Sequence, residues 1–253
     1  MKPGRITNIA EMKNGMPERL RTLWNDAARL PRPKAAAGEL LLYDRIGHDY
    51  WDGGGLTHQY VTDWLKALPA DSASITVRIN SPGGDVFEGV GIYNALITWQ
   101  TAQAGRKIEV RIDAIAASIA SVIAMAGDDI VIAGNAMMMI HPASTVTWGT
   151  AENHRQSATL LDQIDGTILA TYAARAEQAE ADIKGWMDAE TFMTAEESVA
   201  RGFADRAEAL KSKPEPAPAP EPDNQSGARL AAARLRSAQM RLSGVAAHLR
   251  AKR

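Results

Sequence analysis

The sequence predicts an α/β fold with a mostly parallel β-sheet covered by helices. Strand-like and helix-like patterns alternate between about residues 38 and 210. The strand segments are rich in β-branched residues at alternating positions, as in SITVRINS, and a glycine-rich break, SPGG, separates that strand from the next helix. Parallel strands need long crossover connections, which helices usually supply, so this alternation favours a parallel sheet.

The predicted elements alternate in type along this region. In chain order they are a strand at 38–46, a helix at 56–68, a strand at 74–81, a helix at 86–99, a strand at 107–115, a helix from about 118 to 126, two short strands within 129–141, and one long helix at about 150–179. Thr57 is the expected N-cap of the first helix, since its hydroxyl can accept a backbone N–H. The long helix carries an apolar stripe, formed by Leu160, Leu161, Ile164, Ile168, Leu169 and Tyr172. A monomer would leave that stripe exposed, so it predicts a partner surface.

Composition divides the chain into four parts. Residues 1–37 are polar and basic, and residues 38–210 carry the alternating pattern of a folded domain. Residues 211–228 contain five prolines and few side chains able to pack, which is typical of an extended, semi-rigid linker. Residues 229–253 are rich in Ala, Leu and Arg, which predicts a short basic helical tail.

Overall composition argues against several classes of function. The formal net charge of the 253 residues is −2, which gives no global electrostatic sign of nucleic-acid binding. The chain contains no cysteine and so neither disulfides nor thiolate metal sites, which fits a reducing cytosol. The N-terminus lacks the apolar core of a signal peptide, and the apolar stretch from Ala114 to Gly127 is too short to span a bilayer. We therefore predict no membrane span, no metal site and no cofactor.

The segment INSPGGDVFEG places Pro82, Gly83 and Gly84 between a strand and a helix. Glycines allow a tight turn there and leave backbone N–H groups uncovered at the helix entrance. The Gly84 N–H is therefore a candidate oxyanion-hole donor, which would stabilise negative charge developing on a carbonyl oxygen. The alternative is that these residues form an ordinary strand-to-helix turn.

The segment DAIAASIASVIAMAGDD places Ser118 among small residues where a strand leads into an apolar helix. Small neighbours allow a substrate backbone to approach, and the partial positive charge of a helix N-terminus favours an alkoxide or an oxyanion. Ser118 is therefore a candidate nucleophile, and the Ile119 N–H is a second candidate oxyanion donor. Two alternatives remain. Ser118 is only an N-cap, or Ser121 is the reactive serine, although one turn into the helix it is expected to face packing.

A histidine and an acidic turn supply groups for acid–base chemistry. His141 closes the apolar strand AMMMIH, from which its ring can reach a helix N-terminus and accept a serine proton; the alternative is a half-buried structural histidine. Asp188 and Glu190 lie in the acidic turn MDAETF, and either carboxylate can orient the imidazole; the alternative is a solvated turn. Thr194, with Glu197 three residues later, predicts a capping box at a short helix.

Taken together and in this order, the four segments resemble the Clp protease proteolytic subunit. That family has a strand–SPGG–helix unit, an Ala-Ala-Ser helix start, a strand ending in Met-Ile-His, and a carboxylate two residues before a Phe. Here the corresponding segments are INSPGG, AASIAS, MMIHPAS and ETFMTAEESVARGFAD, and the resemblance covers residues 38–210. It implies a serine endopeptidase with the ClpP/crotonase-type fold of repeated ββα units, in which the long helix acts as a handle between stacked rings.

The resemblance also implies a role for each matching position. Ser118 matches the nucleophile, His141 its base, and Gly84 and Ile119 the two oxyanion donors. Glu190 matches the catalytic aspartate of the family. This position departs from the pattern because glutamate is one methylene longer, so Asp188 remains the alternative acid.

The wording RINSPGGDVFEG, IAMAGD and MDAET resembles phage and prophage members of the family, which are thought to act in capsid maturation. The implied setting is the cytoplasm of a bacterial host or an assembling virion. The implied partners are polypeptide substrates such as capsid or scaffold proteins and further copies in a homo-oligomeric ring, either a heptamer or a double ring. An ATPase unfoldase is a further implied partner, since the chain has no Walker A loop of its own. No membrane and no specific nucleic acid is expected.

Three other functions are compatible with parts of the pattern. A crotonase-like acyl-CoA enzyme would use the same fold and paired amides but would need no Ser–His pair. A non-catalytic capsid-assembly protein would keep the fold without the chemistry, with the basic tail as a docking segment. A Ser–Lys peptidase would need a lysine near the nucleophile, and neither Lys107 nor Lys184 has an obvious route there.

Overall fold

The structure is a computed structural model that describes residues 35–48 and 55–210, together with residue 234. The first of the chain's two compact units ends at Leu210, and the second begins at Lys211. The predicted N-terminal segment up to residue 34, the Pro-rich linker and, apart from residue 234, the helical tail lie outside the described residues. Every strand and helix with a described extent belongs to the first unit.

Strands and helices alternate along the described part of this unit, as the sequence predicts. In chain order they are β1 (Glu39–Leu42), α1 (His58–Lys66), β2 (Ser74–Ser81), α2 (Val86–Thr101), β3 (Lys107–Ala117), α3 (Ile119–Ala124), β4 (Asp129–Ala133), β5 (Met137–Ile140), α4 (Ala151–Ala176), α5 (Glu180–Asp188), β6 (Thr191–Thr194), α6 (Ala195–Ala200) and β7 (Arg206–Glu208). The predicted α/β class is therefore confirmed.

One sheet contains all the described strands and is parallel except at one pair. β1, β2, β3, β4 and β7 lie side by side in that order, and all of these pairings are parallel. β5 pairs in parallel with β3, and β6 joins β5 in the antiparallel direction. The predicted, mostly parallel sheet is therefore confirmed.

The length of β3 brings two parts of the sheet together. Its first half, at residues 109–112, pairs with β4, and its second half, at residues 115–117, pairs with β5. On its other edge β3 pairs with β2 throughout, with a shift in register between Ile79 and Ser81. Irregularities of this kind bend a strand locally. Because the second half of β3 pairs with β5, the ends of these two strands lie side by side.

Alternation along β2 sorts its side chains between the two faces of the sheet. Ile75 and Val77 point into the main core, where at most 3% of each is exposed. Arg78 points to the opposite face and forms two hydrogen bonds with the carboxylate of Asp113 on β3, at 2.5 and 2.9 Å. Successive residues of a strand point to opposite faces, so β-branched alternation in the sequence places apolar groups on the helix-covered side.

Two helix starts follow the predicted hydrogen bonds. Thr57 Oγ1 accepts the Tyr60 N–H at 3.2 Å at the start of α1. At the start of α6, Thr194 and Glu197 accept hydrogen bonds from each other's backbone N–H groups in a capping box. Both predictions are confirmed, because these signals depend only on residues three positions apart.

The extents of some elements differ from prediction. β1 ends at Leu42, and Ile46, predicted to continue that strand, forms isolated bridges to Leu56 and Gly84. The predicted long helix extends too far, because Glu177 adopts the left-handed conformation, with φ 53°, and ends α4 at residue 176. A separate helix, α5, then begins where the sequence predicted no element. A left-handed helix end usually carries glycine, so the sequence held no signal for this break.

The long helix α4 packs on the core only along part of its length. Ile168 and Tyr172 are buried, whereas Leu160 is 51% exposed. The predicted apolar stripe is thus only partly covered within one chain, and the role of α4 as a handle between rings stays a prediction. Within the described ranges, no helix is both long enough and apolar enough to cross a membrane.

Candidate active site

Ser118 lies at the junction between β3 and α3 in an unusual backbone conformation. Its φ is 56° and its ψ is −133°, a combination that non-glycine residues rarely adopt and that costs on the order of 1–3 kcal/mol. Its hydroxyl makes no capping hydrogen bond to α3, so the alternative that Ser118 is only an N-cap is wrong. Gly83 packs directly against it, since a Cβ at Gly83 would lie 2.6 Å from Ser118 Cβ.

The hydroxyl of Ser118 contacts His141 instead. Ser118 Oγ lies 2.8 Å from His141 Nε2, within the distance over which a proton can pass between a serine and a histidine. His141 is 8% exposed, whereas Ser118 is only partly buried. A substrate can therefore approach the hydroxyl while the imidazole stays shielded from water.

Strand pairing explains how residues 23 positions apart meet. Ala117 at the end of β3 pairs with Met139 of β5, and the Ser118 N–H donates to the Met139 carbonyl oxygen at 2.9 Å. Because both strands run in the same direction, the chain leaves both of them at the same edge of the sheet. His141 follows Met139 by two residues and so reaches the hydroxyl of Ser118.

The surroundings of His141 set its protonation state. Burial lowers the pKa of its imidazole because the cation is poorly solvated there, and the negative charges of Glu190 and Asp165 act in the opposite direction. The net effect is a pKa below the usual value. At neutral pH the ring is therefore the neutral form that can accept a proton.

The two predicted acids occupy different environments. Asp188 forms an exposed ion pair with Lys184 at 2.7 Å, and only Glu190 of the two contributes to the pKa of His141. Glu190 is exposed and has a positive φ of 47°. In the described part of the chain, no carboxylate oxygen lies within 4.0 Å of the His141 ring nitrogens. Glu190 therefore acts on the imidazole in this structure through its charge and not through a hydrogen bond.

Asp165 is the neighbour of the site that the sequence analysis missed. It lies on α4, and its Oδ1 accepts the Ala143 N–H at 2.6 Å, two residues beyond His141. Burial raises the pKa of Asp165 above its usual value, although the hydrogen bond from the Ala143 N–H acts in the opposite direction. A signal was present: Asp165 shares its helix face with Ile168 and Tyr172 of the apolar stripe, where a solvated carboxylate is out of place.

Backbone N–H groups complete the site. Within the described ranges, neither the Gly84 N–H nor the Ile119 N–H has a hydrogen-bond partner, whereas the Gly83 N–H donates to Ser81 Oγ at 3.2 Å. Gly84 cannot be replaced without movement, because a Cβ there would lie 2.0 Å from the Ile46 carbonyl oxygen. The two predicted donors are thus both uncommitted and able to bind an oxygen atom of a ligand.

The site combines a serine hydroxyl, which is hydrogen-bonded to a buried imidazole, with two uncommitted backbone N–H groups at helix entrances. This arrangement on an α/β sheet is typical of serine hydrolases. The sequence model of the Clp protease family matches residues 57–209. Over 144 residues the chain is 31% identical to the ATP-dependent Clp protease proteolytic subunit of Pleurastrum terricola. The matched region covers 56% of this chain and 70% of that protein. The chain belongs to the Clp protease family. Its placement in the phage branch stays a prediction.

Proposed function

We propose that the chain is a serine endopeptidase that hydrolyses peptide bonds through an acyl-enzyme on Ser118. The observation that carries the proposal is the 2.8 Å separation between Ser118 Oγ and His141 Nε2. His141 takes the hydroxyl proton as Oγ bonds to the scissile carbonyl carbon, and then passes it to the leaving amine as the C–N bond breaks. Water then adds to the acyl carbon, gives its proton to His141, and Ser118 leaves with that proton.

The proposed oxyanion hole consists of the Gly84 and Ile119 N–H groups. As the carbonyl carbon becomes tetrahedral, its oxygen gains negative charge, and two preoriented amides stabilise that charge without reorganising. Support comes from the absence of any partner for either N–H among the described residues. The strained backbone of Ser118 directs its hydroxyl to His141 while the next N–H stays free.

We assign Glu190 as the acid of the proposed triad. The charge of Glu190 raises the pKa of His141 more than the charge of Asp165 does. A negative charge near the ring stabilises the imidazolium that forms in the transition state. Asp188 is committed to Lys184 and is the weaker candidate. Asp165 supports the chain just beyond His141 through the Ala143 N–H.

A pH series on carboxamide variants tests this assignment. The rate rises as pH increases through the pKa of His141, because the base must be neutral. Glu190→Gln removes a charge that raises this pKa, so the acid limb of kcat/KM is expected to move to lower pH. Its plateau rate is expected to fall roughly tenfold or more, because the imidazolium loses its counter-charge. Asp165→Asn is expected to shift the limb in the same direction by less.

Asp188→Asn is the matched control for that series. It removes the same charge from the same acidic turn, but its partner is Lys184, so the acid limb is expected to stay in place. A shift in Asp188→Asn together with an unchanged Glu190→Gln profile would reverse the assignment of the acid.

Assembly and biological setting form the second part of the proposal. The matched relative is by its name a proteolytic subunit of an ATP-dependent protease, which supports polypeptide substrates and assembly with further subunits for this chain. We propose that this assembly is a homo-oligomeric ring and that an ATP-dependent unfoldase is its partner. The exposed end of α4 leaves apolar surface that a neighbouring copy can cover. The phage-like motifs support a role in capsid maturation within a bacterial host. The assembly mass of the Ser118→Ala protein tests the ring, since a variant without the proposed nucleophile is not expected to cleave neighbouring copies during the measurement.

Fluorophosphonate labelling tests the chemistry. The probe phosphonylates a serine only where a base and an oxyanion hole activate it, so the wild type is expected to gain one adduct, mapped by mass spectrometry to Ser118. An adduct at Ser121 or elsewhere would contradict the proposed nucleophile. A native, assembled protein that never labels would favour a non-catalytic assembly protein. Turnover of acyl-CoA without labelling would favour the crotonase-like alternative.

A further inference from the structure

Ser121 and Tyr172 form a buried polar pair behind the proposed nucleophile. Their side chains are 0% and 1% exposed. Ser121 Oγ lies 2.8 Å from Tyr172 Oη, 2.6 Å from the Ser118 carbonyl oxygen and 3.2 Å from the Met139 carbonyl oxygen. Burying two hydroxyl groups is unfavourable unless they form hydrogen bonds, and the proposed mechanism makes no use of either.

The number of available protons sets the direction of these bonds. The two backbone carbonyl oxygens can only accept, so the single proton of the Ser121 hydroxyl is directed to them, chiefly to the nearer one on Ser118. Tyr172 must therefore donate its proton to Ser121 Oγ. The hydrogen bonds run from Tyr172 on α4, through Ser121 on α3, to the carbonyl group of the proposed nucleophile.

The carbonyl group of Ser118 shares a peptide plane with the Ile119 N–H. In a planar trans peptide the C=O and the N–H point in opposite directions, so a bond that holds the oxygen towards the core also holds the N–H away from it. This orientation is set by ψ of Ser118, which is −133° and which combines with a φ of 56° in a conformation that non-glycine residues rarely adopt. The surroundings must therefore hold the peptide plane in place. A rotated peptide would turn the Ile119 N–H away from the oxyanion position.

We propose that Ser121 and Tyr172 are positioning residues that keep the Ser118–Ile119 peptide oriented for oxyanion binding. The Ser121 hydroxyl also contacts the Met139 carbonyl oxygen, which accepts the Ser118 N–H at 2.9 Å. These contacts hold Ser118 against β5, the strand that His141 follows. The inference rests on the proposed peptidase function. An oxyanion contact forms in the transition state, so its loss lowers kcat and leaves KM almost unchanged.

Three variants separate positioning from simple stability. Tyr172→Phe removes one hydroxyl but keeps the ring contact with Phe203, whose centroid lies 5.3 Å away. Ser121→Ala leaves the Tyr172 hydroxyl buried without a partner, so its Tm is expected to fall. The double variant removes both polar groups, and its Tm is expected to recover most of that loss, because a matched pair of deletions leaves nothing unsatisfied.

The readout is kcat and KM for a fluorogenic peptide selected on the wild type, with Tm measured on the same samples. Ser121→Ala and the double variant both keep the backbone N–H of residue 121, which donates to the Ser118 carbonyl oxygen at 3.0 Å. Loss of the hydroxyl alone is therefore expected to lower kcat by about 10-fold, less than removing an oxyanion donor costs. Ser198→Ala is the control, since it deletes another fully buried serine hydroxyl, one that donates to the Thr194 carbonyl oxygen at 2.7 Å within α6. Its kcat is expected to stay at the wild-type value.

The outcomes distinguish the two proposals. A double variant that regains both Tm and wild-type kcat would show that the pair is only structural and would overturn this inference alone. A Ser121→Ala loss confined to KM would overturn it as well. A wild type with neither peptide hydrolysis nor fluorophosphonate labelling would overturn the peptidase function itself, and this inference with it.

Discussion

Ser118→Ala is expected to abolish peptide hydrolysis, with a fall in kcat of about 10⁶-fold, comparable to loss of the nucleophile in a serine peptidase. In the proposed mechanism the hydroxyl oxygen is the atom that bonds to the substrate, and among the described residues no second serine is placed to replace it. Ser121 has its hydroxyl committed to two carbonyl oxygens and to Tyr172. The measurement is kcat on a fluorogenic peptide, with labelling by a fluorophosphonate as the parallel readout.

The stability of Ser118→Ala provides its own check. The hydroxyl does not cap α3, so its removal costs no helix-capping energy, and the folded protein is expected to keep its Tm within a few degrees. If the variant is inactive but has the Tm of the wild type, the loss of peptide hydrolysis arises from the missing hydroxyl and not from unfolding. Binding and the oxyanion hole alone supply a rate enhancement of about 10⁴-fold. If the variant hydrolyses peptides faster than this, another group is the nucleophile.

His141→Gln is expected to have the second-largest effect, a fall in kcat/KM of about 10⁴-fold or more at neutral pH. Glutamine can still hydrogen-bond to Ser118 Oγ but cannot take its proton. In the wild type, burial lowers the pKa of His141, so kcat/KM is expected to rise with pH through a pKa below the usual value for histidine and then to level off. The variant is expected to lose that limb and to depend on hydroxide concentration instead.

His154→Gln is the matched control for this variant. His154 lies in the first turn of α4 and is exposed, so the same substitution there is expected to leave both the rate and the pH profile unchanged. A His141→Gln protein that retained the acid limb of the wild type would assign that titration to another group and would contradict the role of His141 as the base.

Much of the fold could be predicted because its signals are local. The alternation of Ile75, Val77 and Ile79 marks β2, and a hydroxyl three residues before a backbone N–H marks the start of α1 and α6. The errors arose where no local signal was present. The end of α4 depends on a non-glycine residue, Glu177, in a left-handed conformation, and the end of β1 depends on bridges from Ile46 to two other segments.

The candidate site divides in the same way. Ser118, His141 and Gly84 could be selected from their motifs, because each is a particular residue type at a strand end or helix entrance. Ile119 was selected only as the residue after Ser118, since its role needs no more than a backbone N–H. Asp165 belongs to no such motif. Its place on the apolar face of α4 marks it as unusual, but only the packing of that helix shows that it contacts the chain beyond His141. The Ser121–Tyr172 pair was equally hidden, since it joins residues 51 positions apart.

The sequence by itself determined the order of the elements as far as the long helix, the parallel class of the sheet and the short list of reactive groups, because periodicity and residue chemistry are properties of neighbours along the chain. Only the tertiary structure decided that the Ser118 hydroxyl turns to His141 and not to its own helix, and which carboxylates surround that ring. The physical reason is that proton transfer, desolvation and charge coupling depend on separations of a few ångströms, which packing between distant segments sets.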